Sequence, residues 1–194
     1  FATRSVTVKL LPFDNKSEMS VVIDLPEGAT LEDTERTLFA IADVARQVPE
    51  VRSIETYAGT PAPFNFNGLV RHYYVREQPE LGELHLNLAP RGERDRTSHA
   101  IALDLRARLK AVTLPPGTVA RVVEVPPGPP VLSTLLAEVY GPDSQTRRAT
   151  AAELKKIFAS VPYIVDIDDS IGEPQPRLRI SIDQDRLEYF GVEQ

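Results

Sequence analysis

The sequence predicts an α+β fold made of two related strand–helix–strand units in tandem. Residues 20–57 read as a strand, a helix and a strand, and residues 133–170 follow the same plan. The helical pattern of each unit ends at a Val-Pro pair, at Pro49 in the first unit and at Pro162 in the second. The chain is therefore expected to hold two related domains, and its function should be one that needs such a pair.

Composition excludes several classes of function. The 194 residues suffice for two small domains, and a hydrophobic fraction of 42% allows each of them a modest core. The net charge of −6 removes the electrostatic basis for a nucleic-acid partner. Because the chain has no cysteine, it has no disulfide, no thiolate metal site and no cysteine nucleophile.

The sequence contains no pattern of a membrane span or of a signal peptide. The longest uncharged stretch near its middle, Val125–Ala137, is short and rich in proline. Because the chain begins at Phe1 and stops directly after a helical pattern, we expect it to be a piece of a longer protein.

The first three elements of the first unit have clear boundaries. The apolar run Ser20–Leu25 predicts a strand. Thr30, with Asp33 three residues later, predicts a capping box at the start of a helix whose apolar residues recur at helical spacing until Pro49. Val51–Tyr57 is the second predicted strand.

The remainder of the first unit starts with an irregular stretch, residues 59–80, in which Arg71–Arg76 is expected to be an ordinary strand. Alternating leucines predict a half-buried strand at 84–88, and a helix at 97–111 and a strand at 119–125 follow. The resulting order, βαββαβ, is the ferredoxin-like split βαβ plan, with both helices on one face of an antiparallel sheet.

The second unit is expected to be an incomplete ferredoxin-like copy. It should contain strands at 135–140, 164–169 and 177–182, a helix at 146–159 and a short helix at 184–190. Since it lacks a last strand and a full second helix, its sheet would expose an edge. The predicted domains are thus residues 1–125, a stiff proline-rich linker at 126–130, and residues 131–194.

The histidines show no spacing typical of metal ligands. His85 alternates with Leu84 and Leu86, so we expect it on the solvent-facing side of its strand, and we expect His99 to be solvated at a helix start. His72 has no partner at ligand spacing either. No metal-binding residue is predicted.

An acidic cluster is formed by Asp166, Asp168 and Asp169. On a strand, Asp166 and Asp168 would share one face and could bind a cation or transfer a proton, but a solvated edge or turn is the simpler interpretation. Their spacing does not match a calcium loop. The sequence has no P-loop, no dinucleotide-binding motif and no nucleophile–base pair, so neither a catalytic residue nor a cofactor is predicted.

Phe64 and Phe66 are the candidate ligand contacts. They lie in a loop bounded by prolines and by Asn67-Gly68, outside any predicted element. Apolar side chains in a surface loop need cover. They either fold back onto their own sheet or form a mobile apolar wall that contacts an amphipathic ligand or a neighbouring subdomain.

Three stretches resemble the periplasmic porter region of resistance–nodulation–division (RND) efflux transporters of the acriflavine-resistance type. They are Leu10–Asn15 leading into Val22–Thr30, then Val48–Val51, and finally Arg177–Arg186 followed by Gly191-Val192. The last stretch is the most specific. The resemblance covers nearly the whole chain, and it implies that residues up to about 125 form the third porter subdomain and those from about 131 the start of the fourth.

The resemblance also implies a setting for the chain. It would be the periplasmic portion of an inner-membrane homotrimer of a Gram-negative bacterium, which works with a periplasmic adaptor and an outer-membrane channel. Proton-relay residues would lie in transmembrane helices outside this chain, so the chain is not expected to transport anything by itself. It is not expected to be an enzyme either. Metal-exporting relatives use methionines in this region, whereas Met19 is the only methionine here, which favours amphipathic organic substrates.

Four substrate-binding residues are implied by the same resemblance. Phe64 and Phe66 resemble the phenylalanine-bearing switch loop that separates two drug pockets. Tyr57, on the strand that enters this loop, and His85, on the strand that leaves it, match pocket-lining positions.

Two other functions are considered. A soluble tandem ferredoxin-like sensor would bind a small metabolite at a helix-facing interface, and such a domain should be complete. A hydrolase of acylphosphatase-like fold would need an arginine and a glycine-rich anion cradle near the first strand, and residues 10–30 contain no such loop.

We predict that replacing Phe64 and Phe66 with Ala in the full pump changes the substrate profile more than the stability of the fragment. The check is a panel of resistance measurements together with thermal unfolding of the 194-residue chain. Equal loss of resistance to every compound, with melting several degrees lower, would show instead that the two rings belong to a core.

Overall fold

The computed structural model describes residues 15–63, 68–69, 72–125, 135–171 and 179–191. Phe64 and Phe66 lie outside the described residues, and so does the predicted linker at 126–130. Within the described ranges, no helix is long and apolar enough to cross a membrane.

One four-stranded antiparallel sheet organises the first part of the chain. Its strands are β1 (Glu18–Asp24), β2 (Val51–Ala58), β3 (Leu81–Leu88) and β4 (Val119–Val123), in the spatial order β2-β3-β1-β4. The predicted α+β class is confirmed, and this order is compatible with the predicted ferredoxin-like unit.

Two helices connect the strands that are not neighbours in the sheet. They are α1 (Leu31–Ala45), between β1 and β2, and α2 (Ser98–Leu109), between β3 and β4. The predicted capping box is present, since the Asp33 N–H donates to Thr30 Oγ1 at 3.2 Å and the Thr30 N–H donates to Asp33 Oδ2 at 3.4 Å. Thr97 accepts from the Ala100 N–H at the start of α2.

The hydrophobic core lies between the two helices and one face of the sheet. Alternate residues of each strand point toward the helices because successive strand side chains face opposite sides. The largest fully buried side chains of this layer are Met19, Val21, Ile23, Leu38, Ile41, Leu84, Leu86, Ile101 and Leu105. This packing leaves the other face of the sheet for polar residues.

The prediction of a strand at Arg71–Arg76 is wrong. Its described residues form a short 3₁₀ turn, Tyr73–Val75, preceded by His72 in the left-handed region at φ 56°. Its backbone groups are paired locally instead, since the Val75 N–H donates to the His72 carbonyl at 3.2 Å and the Arg76 N–H donates to the Tyr73 carbonyl at 3.0 Å. The segment instead becomes a loop that returns the chain to the start of β3.

In the second part of the chain, the regular elements that the structure describes are two helices. The two predicted helices are confirmed as α3 (Ser144–Ala159) and α4 (Gln184–Tyr189). The strands predicted at 135–140 and 164–169 are not formed, and the described residues of 177–182 are not a strand either. A helix satisfies its backbone groups internally, whereas a strand requires a partner, so the described residues of this part include helices but no second sheet.

We predict that Leu86→Ala lowers the free energy of unfolding by about 3 kcal/mol, because it leaves a cavity in the fully buried central layer. Urea unfolding followed by circular dichroism measures this loss. Leu103→Ala is the matched control, since Leu103 on α2 is 50% exposed and should change the unfolding free energy by no more than about 0.5 kcal/mol. Similar losses in the two variants would contradict the assignment of the core.

Candidate functional site

The sheet surface opposite α1 and α2 is lined mainly by polar side chains, and we call it the polar face. It comprises Glu18, Ser20, Val22 and Asp24 of β1, Ser53, Glu55 and Tyr57 of β2, Leu81, Glu83, His85 and Asn87 of β3, and Val119, Arg121 and Val123 of β4. This face is partly covered, because Ser20, Val22 and Glu83 are all less than 5% exposed. Polar groups at such positions need partners or a ligand.

Strand register brings two of the sequence-predicted residues, Tyr57 and His85, onto this face. Tyr57 lies directly opposite Glu83, and His85 lies directly opposite Glu55 on one side and Ser20 on the other. Tyr57 and His85 are therefore diagonal neighbours on adjacent strands, within reach of one ligand. The other two predicted residues, Phe64 and Phe66, are outside the described part of the chain.

Tyr57 presents a half-buried ring with its hydroxyl group already oriented. The Tyr57 hydroxyl donates a hydrogen bond to Glu55 Oε2 at 2.9 Å. Burial raises the pKa of Tyr57, and the hydrogen bond and the negative charges of Glu55 and Glu83 raise it further. The phenol therefore stays protonated at neutral pH; its one O–H is directed to Glu55, and its oxygen can accept a hydrogen bond beside the aromatic ring.

His85 points away from the core, as predicted from its alternation with Leu84 and Leu86. Its side chain is 17% exposed, and its Nε2 lies 3.9 Å from Glu18 Oε2. The imidazole is thus placed between carboxylates of β1 and β2 on the polar face. It offers a ligand both a ring surface and a hydrogen-bonding nitrogen.

Glu83 is a residue of this face that sequence reasoning missed. Only 4% of the residue is exposed, and burial raises the pKa of its carboxyl group. A hydrogen bond with Ser20 and the positive charges of His85 and Arg76 act in the opposite direction. The signal for Glu83 in the sequence was its alternation with the apolar residues of β3, which placed it on the polar side but could not show its burial.

The loop before β3 closes one end of the polar face through Arg76. The Arg76 guanidinium donates to the Ile23 carbonyl at 2.9 Å, forms an ion pair with Asp24, and stacks over the Tyr73 ring at 5.6 Å. Asp24 also pairs with Arg121 of β4. Charges of alternating sign therefore join the loop to the two strands at this end of the sheet.

At the other end of the strands, amide and hydroxyl groups form hydrogen bonds on the polar face. Asn87 Nδ2 donates to Ser53 Oγ at 3.0 Å and to Glu55 Oε1 at 3.4 Å. Glu55 thus accepts from both Tyr57 and Asn87. The face as a whole offers an aromatic ring, an imidazole and several carboxylates, which suits binding of a partly apolar, partly charged molecule.

The acidic cluster forms ion pairs. Asp166 contacts Arg106, Asp168 contacts Arg121 and Asp169 contacts Lys155. Within the described ranges, no three histidine, cysteine or acidic side chains are grouped so that they could hold a metal ion. The prediction that the aspartates lie at a surface turn is consistent with these contacts.

His99 and His72, the other two histidines, contact a carboxylate and an aromatic ring respectively. His99 lies at the start of α2 as predicted, with its side chain 43% exposed, and its Nδ1 lies within hydrogen-bond distance of Glu124 Oε2, at 3.0 Å. The rings of His72 and Tyr74 meet edge-on, with their centroids 5.8 Å apart. Neither residue lies on the polar face.

We predict that Glu83→Gln raises the free energy of unfolding at pH 7. Burial raises the pKa of the Glu83 carboxyl group in the folded state above its value in the unfolded chain. As pH rises through the unfolded-state pKa, the unfolded chain loses its proton first and the folded state becomes relatively less stable. This loss of stability is complete once pH exceeds the folded-state pKa. The advantage of the variant should therefore shrink as pH falls toward 4. Urea midpoints at both pH values measure the effect.

The control for this prediction is Glu35→Gln, which removes an exposed carboxylate from α1. It should leave the pH dependence of stability nearly unchanged. A Glu83→Gln variant that unfolds at lower urea than the original chain at pH 7 would show that the ionised carboxylate is net stabilising.

Comparison with solved structures shows that the fold of this chain occurs in a known protein. The X-ray crystal structure of a heavy metal efflux pump matches with a TM-score of 0.68 at 19% sequence identity. The match covers 94% of this chain but only 19% of the pump chain. At this identity the likeness concerns the fold alone. No curated protein sequence matches the chain.

Comparison with protein families gives a match over the whole sequence. The model of the AcrB/AcrD/AcrF family aligns with residues 1–194. This agrees with the resemblance shown by the Leu10–Asn15 and Arg177–Arg186 stretches, and the prediction of an RND-type transporter is confirmed. The chain belongs to the AcrB/AcrD/AcrF family of efflux transporters.

Proposed function

We propose that this chain supplies one wall of a substrate-binding cleft in a proton-driven RND pump that exports amphipathic compounds. The observation that supports the proposal is the polar face, where Tyr57, Glu83 and His85 lie together on adjacent strands opposite the packed helices. A rigid sheet with its own core can present these groups to a ligand without losing its packing.

The chemistry of the polar face suits broad recognition. The Tyr57 ring offers apolar contact area together with a hydroxyl oxygen that can accept a hydrogen bond, and His85 adds a second ring. Glu55 and Glu83 favour ligands that carry a positive charge. Such a surface recognises a molecule by area and charge rather than by a specific set of hydrogen bonds, as a pump with varied substrates requires.

The proposed cargo is organic rather than a soft metal cation, although the similar solved structure is a heavy metal efflux pump. Met19 is 1% exposed, and it belongs to the helix-side core rather than to the polar face. A thioether site for Cu(I) or Ag(I) needs exposed soft ligands. Phenol, imidazole and carboxylate groups instead suit an amphipathic organic molecule.

The proposed setting follows from family membership. Residues 1–125 would form the third porter subdomain, residues 126–130 a linker and residues 131–194 the start of the fourth, in the periplasmic part of an inner-membrane homotrimer. A periplasmic adaptor and an outer-membrane channel would be its partners, and Phe64 and Phe66 would lie on the switch loop of the cleft. In this role the chain binds and releases its ligand without chemical change, and family membership does not favour the alternative of a soluble sensor.

We predict that Tyr57→Ala and His85→Ala in the intact pump weaken export of some substrates by about three- to tenfold and leave others unchanged, because each ring contributes only part of a broad contact surface. Resistance to cationic, neutral and anionic compounds, at equal protein levels, measures the change. Phe39→Ala is the matched control, since Phe39 lies on α1 and is 48% exposed. An equal loss for all compounds, or an equal effect of Phe39→Ala, would contradict a binding role.

A further inference from the structure

A short segment of the second part of the chain is attached to the sheet unit by two ion pairs. We call residues 164–169 the strap. Asp166 Oδ2 accepts from Arg106 Nε at 2.9 Å, and Asp168 pairs with Arg121. Arg106 lies on α2 and Arg121 on β4, so the strap is joined to the sheet unit at two separate elements.

Both arginines are held in position by the sheet unit itself. Arg106 also donates to the Val122 carbonyl at 2.7 Å and to Glu124 Oε1 at 3.1 Å. Arg121 also pairs with Asp24. Their side chains are only 16% and 12% exposed, so each presents a pre-oriented donor to an incoming carboxylate.

The strap is in turn tied to α3. Lys155 Nζ donates to Asp169 Oδ2 at 2.8 Å, and the turn at Val161–Tyr163 is the covalent connection between α3 and the strap. Asp166 adopts φ 54°, a left-handed conformation that is unfavourable for most residues with a Cβ atom but that Asp and Asn tolerate. The local backbone thus holds the Asp166 carboxylate toward Arg106 instead of extending as a strand.

The strap is attached by ion pairs, whereas the core of the sheet unit is held together by apolar packing. The described residues of α3 are all at least partly exposed, and the strap residues from Ile164 to Asp169 are likewise half-buried or exposed. Ion pairs at a partly exposed surface are weak and are screened by salt, whereas the core of the sheet unit is fully apolar. The attachment can therefore open while the sheet unit stays folded.

We infer that the strap is a releasable electrostatic clasp, which is held on the sheet unit through Asp166–Arg106 and Asp168–Arg121 and which moves away together with the attached α3 when these pairs open. This inference rests on the proposed function, in which the chain supplies one wall of a substrate-binding cleft. When the strap is released, Arg121 loses Asp168 as a partner. Arg121 and Arg76 both pair with Asp24, and the charge of Arg76 in turn acts on the Glu83 carboxyl group. The clasp is thus connected to the polar face by a chain of alternating charges.

The test measures the distance between α1 and α3 in the 194-residue chain by spin labelling. Because the chain has no cysteine, Glu35→Cys on α1 and Arg148→Cys on α3 give two unique and exposed labels. The test variant carries Asp166→Asn and Asp168→Asn, which remove the charges while keeping side-chain size and the left-handed preference at position 166. Glu153→Gln is the control, since Glu153 pairs only within α3 with Lys156 among the ion pairs described.

We expect a bimodal or broadened distance distribution for the double Asn variant, with the ratio of open to docked molecules raised about tenfold, because two partly exposed pairs are lost together. Sodium chloride at about 1 M should have a similar effect on the unchanged chain, since it screens both pairs. The Glu153→Gln chain should keep the original distribution. No transport substrate is involved, so the result is independent of whether the polar face binds a ligand.

Two results would overturn the inference. If the distance distribution stays the same after both Asn substitutions and at high salt, the two ion pairs do not control the position of the strap and α3 relative to the sheet unit. If Glu153→Gln widens the distribution as much as the double variant does, the effect belongs to the overall charge of the segment. Circular dichroism of each variant confirms that the sheet unit and helices remain folded during the measurement.

Discussion

Pairing of β1 with β3 at the centre of the sheet is the interaction on which the rest of the structure depends. The two strands pair without interruption from Glu18–Asn87 to Asp24–Leu81. This register places Val21 and Leu84 together under the helices and Val22 and Glu83 together on the opposite side. A slip by one residue would exchange the two faces, so the core and the candidate site are consequences of the same register.

The polar face shows how partly buried polar side chains of a sheet are paired with one another. Arg76 and Arg121 both contact Asp24, while Glu55 accepts from Tyr57 and Asn87. Each of these carboxylates has a hydrogen-bonding or charged partner on another strand or loop. Glu83 also has a partner, a hydrogen bond with Ser20, but burial is the largest influence on its pKa, and this makes it the residue whose charge a ligand would most affect.

The two parts of the chain differ in what holds them together. The sheet unit has a continuous apolar core, whereas the described residues after 134 form helices that start at capping aspartates, Asp143 and Asp183, and bury little apolar surface. Capped helices need no partner strand, but extended segments do. The ion pairs described between the two parts join Asp166 to Arg106 and Asp168 to Arg121, and such pairs are weaker and more sensitive to salt than an apolar core.

The sequence by itself determined the local elements and the family. Capping residues such as Thr30 and Thr97, together with the alternation of β3, predicted helices and strands close to those observed, because these signals act within a few residues along the chain. Only the tertiary structure decided that Glu83 is buried, that residues 72–76 are not a strand, and that the predicted acidic cluster is paired with arginines and a lysine. These outcomes depend on residues far apart in sequence, whose proximity no local pattern encodes.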